Sequence, residues 1–255
     1  MSFPIAVKAE LLKTKRTSVI YVALIASFIA PLMMFFFNGE EKDSMEALAR
    51  NPWNKFFKDG FQPILLVFMP VYVILITSLI PQLEHRNNTW KQVLTSPQSK
   101  FNIYFSKFFI IQLLILLFVL LHNLFTTLGL IGIDAVRHDL KLTSHSLDWR
   151  WLLRANGNAF ISVFAISAFQ FWLGVRFRNF IVPLAIGVGL WLSTMIIVGG
   201  FNWPHGDKVP FAFPFMMVMP SYKTLDFVVW SSLAYGIFFS LIGFFDFAKR
   251  NRKGI

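Results

Sequence analysis

FFIIQLLILLFVLLHNLFTTLGLIGI, residues 108–133, runs for twenty-six residues without one Asp, Glu, Lys or Arg. Coiled as an α-helix it extends about 39 Å, more than the roughly 30 Å of hydrocarbon in a bilayer. A charge at the centre of such a helix costs about 2.5–3.5 kcal/mol on insertion into lipid, and none is present. This stretch fixes the solvent as lipid and the element as a spanning helix.

Five further stretches have the same character: residues 18–37, 61–83, 155–175, 180–201 and 227–245, all free of charged residues. Hydrophobic residues make up 56% of the chain and charged residues only 15%, against about 25% in soluble domains. Phe alone supplies 31 residues. The expected fold is therefore an all-α integral membrane protein, one membrane-spanning domain over residues 1–255 with six transmembrane helices. The first apolar run is longer than the 7–15 residues of a signal-peptide core, and Pro31 follows the best small-residue site, Ala30, so the run reads as a retained anchor. The chain has no cysteine, which excludes disulfides, thiolate metal sites and cysteine nucleophiles.

The net charge of +11 sits in short runs between the apolar stretches, a pattern of membrane topology rather than of nucleic-acid binding. Six spans put both termini on one side. That side, residues 1–17, 84–107, 176–179 and 246–255, carries fourteen Lys and Arg; the other carries ten over more residues. The positive-inside rule makes the first side, with both termini, cytoplasmic. Arg176-Phe177-Arg178-Asn179 is a short turn that makes spans four and five antiparallel neighbours. Ser232, Gly236 and Ser240 form a small-residue stripe on the last span, which lets another helix approach closely, chiefly within the same chain.

Three segments outside the spans stand out. Residues 1–17 read as an interfacial helix with Ile5, Ala9 and Leu12 on one face and Leu11 beside it; the alternative is a charged flank that only sets topology. In residues 84–107, EHRNNTWKQVLTSPQSKFNIYFSK, Thr89 and Gln92 have capping-box spacing for a short helix over about 90–95. Ser96-Pro97 reads as a new helix start running into the third span, and an ordinary polar loop is the competing reading. Residues 202–226, with Pro204, Pro210, Pro214 and Pro220 around the apolar run 211–219, read as a re-entrant or interfacial lid before the last span, or as a loop packed on the bundle.

Polar residues inside the spans are few. His122 and Asn123, with Thr126 and Thr127 one turn on, are either interhelical glue or a candidate substrate path. Nothing matches GxxxxGK[ST], HExxH or GxSxG, and no pair of carboxylates lies mid-span. The chain thus carries no phosphate loop for ATP and no recognised catalytic or metal-binding motif, and is not expected to be an enzyme.

These features together resemble ABC transporter permeases of the type-2 exporter class, in particular the branch that gives lantibiotic and bacitracin self-protection. The resemblance rests on AELLKTKRT (residues 9–17), on the 84–107 loop with Glu84, Asn88-Thr89-Trp90-Lys91, Leu94, Pro97 and Lys107, and on GVRFRNFIVPLAIG (residues 174–187). It implies a subunit with no cofactor of its own. ATP is bound by separate cytoplasmic ABC ATPase subunits, and a second permease copy completes a homodimer or heterodimer. It assigns Glu84, Thr89, Trp90, Lys91, Leu94 and Pro97 to ATPase coupling, and Glu10, Lys13 and Lys15 to a connecting helix. Export of an antimicrobial peptide, a drug or a lipid-like substrate from the cytoplasmic (inner) membrane is the implied activity, with antibiotic resistance as its consequence. Two other readings compete. One is a polytopic membrane enzyme using His138, Asp139, His145, Asp148 and Arg150. The other is a non-transporting immunity or scaffold protein.

The topology is directly testable because the chain lacks native cysteines. Lys91→Cys should react with a membrane-impermeant maleimide only from the cytoplasmic side, and Lys42→Cys only from the outer side. The reverse pattern would invert the assignment.

Overall fold

The computed structural model describes residues 2–15, 17–37, 51–86, 98–137, 142–201, 203, 205–218 and 225–250. Among them there are helices and turns and no strand. Helix α1 (Phe3–Lys15) precedes the first rod, α2 (Val19–Phe37). The second rod is α3 (Pro52–Pro63), a π-helical step at Ile64–Phe68, and α4 (Met69–Arg86). The third is α5 (Lys100–Arg137). The fourth is α6 (Trp149–Ser162) and α7 (Phe164–Arg176), and the fifth is α8 (Ile181–Thr194) with a π-helical end at Met195–Gly200. Short turns and the four-residue α9 (Phe213–Met216) lead to the last rod, α10 (Leu225–Arg250). Six rods are long and apolar enough to cross a membrane, by length and composition.

The rods outrun the apolar windows because a helix ends at its cap and not at its first charge. The second rod begins at Pro52 and not near 61. Asn51 Oδ1 accepts from the Asn54 N–H, Pro52 needs no donor at the first helical position, and Lys55 pairs with Asp59 one turn on at 3.0 Å. The third rod begins at Lys100, three residues after Pro97. Its cap is Ser99, whose Oγ accepts from the Asn102 N–H at 3.1 Å, so the expected start at Ser96-Pro97 is corrected. The fourth begins at Trp149, capped by Asp148 Oδ1 on the Trp151 N–H. The expected short helix at 90–95 lies outside the described residues.

Alternation of the rods is visible at both ends. At one end Asn51 donates to the Ser146 carbonyl and Trp53 to the Leu142 carbonyl. At the other, where α1 lies, Gln82 donates to the Phe177 carbonyl and Lys100 to the Ala248 carbonyl. The short turn after Arg176 does make rods four and five antiparallel, and Gln170 donates to the Pro183 carbonyl between them. The fifth rod leans more on α4 than on α7. Pro70 lacks the N–H that would cap the Leu66 carbonyl in an α-helix, and that carbonyl accepts the Trp191 indole N–H at 3.0 Å.

The tightest packing joins α7 to α10. Ser232, Gly236 and Ser240 are buried, and Gly236 leaves room for the Phe164 ring. The fourth rod breaks at Val163, where the Ser232 hydroxyl enters the helix ladder. It donates to the Ile161 carbonyl at 2.6 Å and accepts from the Ala165 N–H at 3.3 Å, bridging a pair that an unbroken helix would join directly. A second contact uses the same logic. Pro81 withholds its N–H from the Thr77 carbonyl, and Gly174 lets α7 approach it; a Cβ there would lie 2.5 Å from the Thr77 oxygen. In the segment before the last rod, Ala212, Phe213, Phe215 and Met216 are buried against Ala165, Val198 and Val228, and Phe211 joins the main core.

Ser232→Ala should strand the Ala165 N–H at the break, a cost of about 1–3 kcal/mol. Thermal unfolding in detergent should show a lower midpoint than wild type, with Ser231→Ala unchanged. Equal midpoints for the two variants would remove the ladder-insertion role.

Candidate functional site: a buried charge ring

Four ionised side chains meet where α1 crosses the bundle. Lys107 Nζ lies 2.7 Å from Glu10 Oε2 and 2.7 Å from Glu84 Oε1. Lys13 Nζ lies 2.8 Å from Glu10 Oε1 and 2.9 Å from Glu84 Oε1. Each carboxylate thus accepts from both ammonium groups, in a closed ring with no net charge. The distances are those of strong charge-assisted hydrogen bonds. Lys107 is 2% exposed and the Glu84 side chain 4%, while Lys13 opens to the surface at 44%.

The local sequence dictates the ring. Lys107 abuts the 108–133 apolar run, and Glu84 closes the second run, so both helices carry a charge to the bundle's edge. Glu10 and Lys13 are three apart on α1 and share a face with Ala6 and Thr14, both buried. That face turns toward the bundle. Ile5, Leu11 and Leu12, on and beside the face read as interfacial, are exposed, with Ala9 half-buried. The outward surface of α1 mixes these apolar side chains with exposed Lys8 and Lys15. α1 also crosses α5 steeply: Phe3 meets Phe109 and Glu10 meets Lys107, seven residues along one helix and two along the other.

Burial alone would raise the Glu10 carboxyl, but the Lys107 ammonium, and after it Lys13, hold it below the ordinary glutamate value. Burial alone would lower Lys13, but Glu10 and then Glu84 hold it above the ordinary lysine value. The Glu10 contribution to stability is present above the usual glutamate range and is lost as pH falls through its folded pKa. The Lys13 contribution is present below the usual lysine range and is lost as pH rises through its folded pKa. Both groups stay charged at neutral pH.

Of the residues singled out in the sequence, the fold brings Glu10, Lys13 and Glu84 together. Lys15 is exposed on the last turn of α1 and lies outside the ring. Thr89, Trp90, Lys91, Leu94 and Pro97 lie outside the described residues; the ring holds the helices on both sides of them. His122 is buried, with Nε2 3.5 Å from Thr126 Oγ1 and its ring edge-on to Phe61. Asn123 donates to Asn156 at 2.9 Å and to the Val119 carbonyl at 2.7 Å. The central role of Lys107 was hidden in the sequence, where it counts as a basic flank and as one residue of the resemblance over 84–107. A second clamp at the same end was also hidden: Asp246 accepts from Trp172 at 3.1 Å and pairs with Arg176 at 3.2 Å. Among the described residues no group of His, Cys, Asp and Glu is arranged to hold a metal ion. Of the polar set considered for a membrane enzyme, Asp148 caps α6 and Arg150 is exposed. His138 and Asp139 lie outside the described residues.

Six apolar rods and an ion ring at one end define a multi-pass helical membrane protein. The model of the ABC-2 family transporter proteins matches residues 6–193, from α1 through α8, and the chain belongs to that family. Membership makes it a membrane transport component, the permease of an ABC transporter, and implies association with an ABC ATPase subunit. No curated protein and no solved structure matches the chain.

Removing one member of the ring leaves charge buried and unpaired, which costs about 3–5 kcal/mol. Lys107→Met should therefore lower thermal stability in detergent sharply, and Lys15→Met should leave it within about 0.5 kcal/mol of wild type. Similar unfolding midpoints for Lys107→Met and wild type would mean that the ring does not hold α1 to the bundle.

Proposed function

We propose that this chain is the membrane-spanning subunit of an ABC exporter that moves a peptide, drug or lipid-like substrate outward from the cytoplasmic membrane. A separate ATPase drives it, and a second permease copy, identical or different, completes the pore. The ring carries the proposal: a soluble subunit pushing on residues 87–97 pushes on the helices that Glu84 and Lys107 bind together.

Both termini and the ring face the cytoplasm in this reading. The bias of Lys and Arg toward that side supports it. Residues 90–95 form the coupling helix, and Trp90, Lys91 and Leu94 touch the ATPase, with Thr89 and Pro97 bounding the segment. Glu84 is buried, so its part is to pass force and not to dock. α1 is the connecting helix: its exposed Ile5, Leu11 and Leu12 lie in the interface, and its Glu10 and Lys13 follow the ends of α4 and α5. Lys15 meets lipid headgroups. When ATP closes the ATPase dimer, the ring makes α1, α4 and α5 shift as a unit. Differential affinity of substrate for the inward and outward states sets the direction. His122 and Asn123 border the substrate path, and residues 202–226 act as the re-entrant element that controls release. Self-protection against an antimicrobial peptide is the biological role that fits an exporter of this class.

Affinity purification of the tagged chain in mild detergent should recover a phosphate-loop ATPase. Trp90→Ala should reduce that recovery several-fold while leaving membrane insertion intact. Purification without any ATPase, or undiminished recovery with Trp90→Ala, would contradict the proposal.

A further inference from the structure

An open-sided groove of about 390 Å³ lies beside the ring, lined by Phe3 of α1 and by Phe101, Phe105, Phe108, Phe109 and Gln112 of α5. The α5 residues recur at helical spacing along one face, and Phe3 closes the groove from the side by its edge-on contact with Phe109. Phe101 and Phe109 are 52% and 44% exposed, so the groove opens outward from the bundle. We propose that it is a phospholipid site, in which one acyl chain lies along α5 under Phe3 and the phosphate meets Lys100.

Size and chemistry select this occupant. From Phe101 to Gln112 the groove follows eleven residues of helix, about 16 Å at 1.5 Å per residue. A single extended hydrocarbon chain can lie along that length with its methylenes against the rings. The lining is aromatic, which favours hydrocarbon over an extended peptide, whose N–H and C=O groups would be left unsatisfied there. At the mouth Lys100 stands next to Phe101. Its ammonium donates to the Ala248 carbonyl at 3.2 Å, and an ammonium has three donors, so a phosphate oxygen can be accommodated as well. Lys8 of α1 is exposed on the same end of the bundle and adds positive charge for the headgroup. The site requires only that the chain spans a bilayer, and stands apart from the exporter reading.

The occupant has a structural consequence. α1 is held on its inner side by the ring and at its start by Phe3. A chain seated under Phe3 fills the gap between the start of α1 and α5, so lipid loss loosens that end of α1 while the Glu10–Lys107 end stays fixed.

The test uses the full chain reconstituted in nanodiscs with a phospholipid bearing a diazirine on its acyl chain. After irradiation and transfer to detergent, adducts are mapped by mass spectrometry. They should concentrate on residues 101–112 over the flat, equally exposed stripe of Leu116, Leu120 and Leu124, and Phe109→Trp, which fills the groove, should lower them several-fold without changing the unfolding midpoint. Uniform labelling along α5 would overturn the site. So would efficient pairing of Phe109→Cys chains by a short bismaleimide, which would place a second copy in the groove.

Discussion

A lysine buried between two glutamates holds this bundle's entry helix in place. Lys107 is nearly inaccessible, and an ammonium removed from water is tolerable only because Glu10 and Glu84 surround it. Lys13 then balances the second negative charge. The ring costs desolvation on four groups, so stability alone is a weak reason for it. What it supplies is register. α1 cannot slide or turn without stranding a charge, and the ends of α4 and α5 cannot separate without the same penalty.

The rest of the bundle shows how polar atoms are used sparingly in an apolar setting. Ser232 bridges a broken helix, Trp191 satisfies a carbonyl beside a proline, and Gln112 donates to Ser167 between rods three and four. The first two are cross-rod bonds made where a helix would otherwise leave a backbone group unsatisfied, and the third joins two side chains. Glycines and serines of the last rod permit the close approach to α7, and the aromatic side chains fill the remaining space. Tyr72 stacks on Phe118, and Tyr104 sits among Phe105, Phe171 and Phe244. The last rod and the fifth have most of their surface turned outward, as expected of helices that face lipid or another subunit.

The six rods were legible in the sequence because apolar length alone defines them. Their ends were not, since Lys55, Asp59, Lys107 and Asp134 close an apolar window without closing a helix. The starts are set by Asn51, Ser99 and Asp148, single capping residues that a hydropathy window overlooks. The members of the candidate site were also legible one by one: Glu10, Lys13, Glu84 and Lys107 stood out by resemblance. Their convergence did not, because Glu10 and Lys107 are separated by ninety-seven positions and no local pattern links them. Ile5 and Leu12 are turned away from the bundle, the side on which an interfacial helix meets the bilayer.

If the ring makes α1, α4 and α5 one mechanical unit, spin labels on α1 and α5 must keep their separation while the transporter cycles. Labels at Leu12→Cys and Leu113→Cys, both exposed positions, can be read by pulsed dipolar spectroscopy in the complex with its ATPase, without nucleotide and with trapped ATP. The account predicts one unchanged distance for this pair, and a changed distance from Leu12→Cys to Trp230→Cys on the last rod. A Leu12–Leu113 distance that shifts between the two nucleotide states would contradict it.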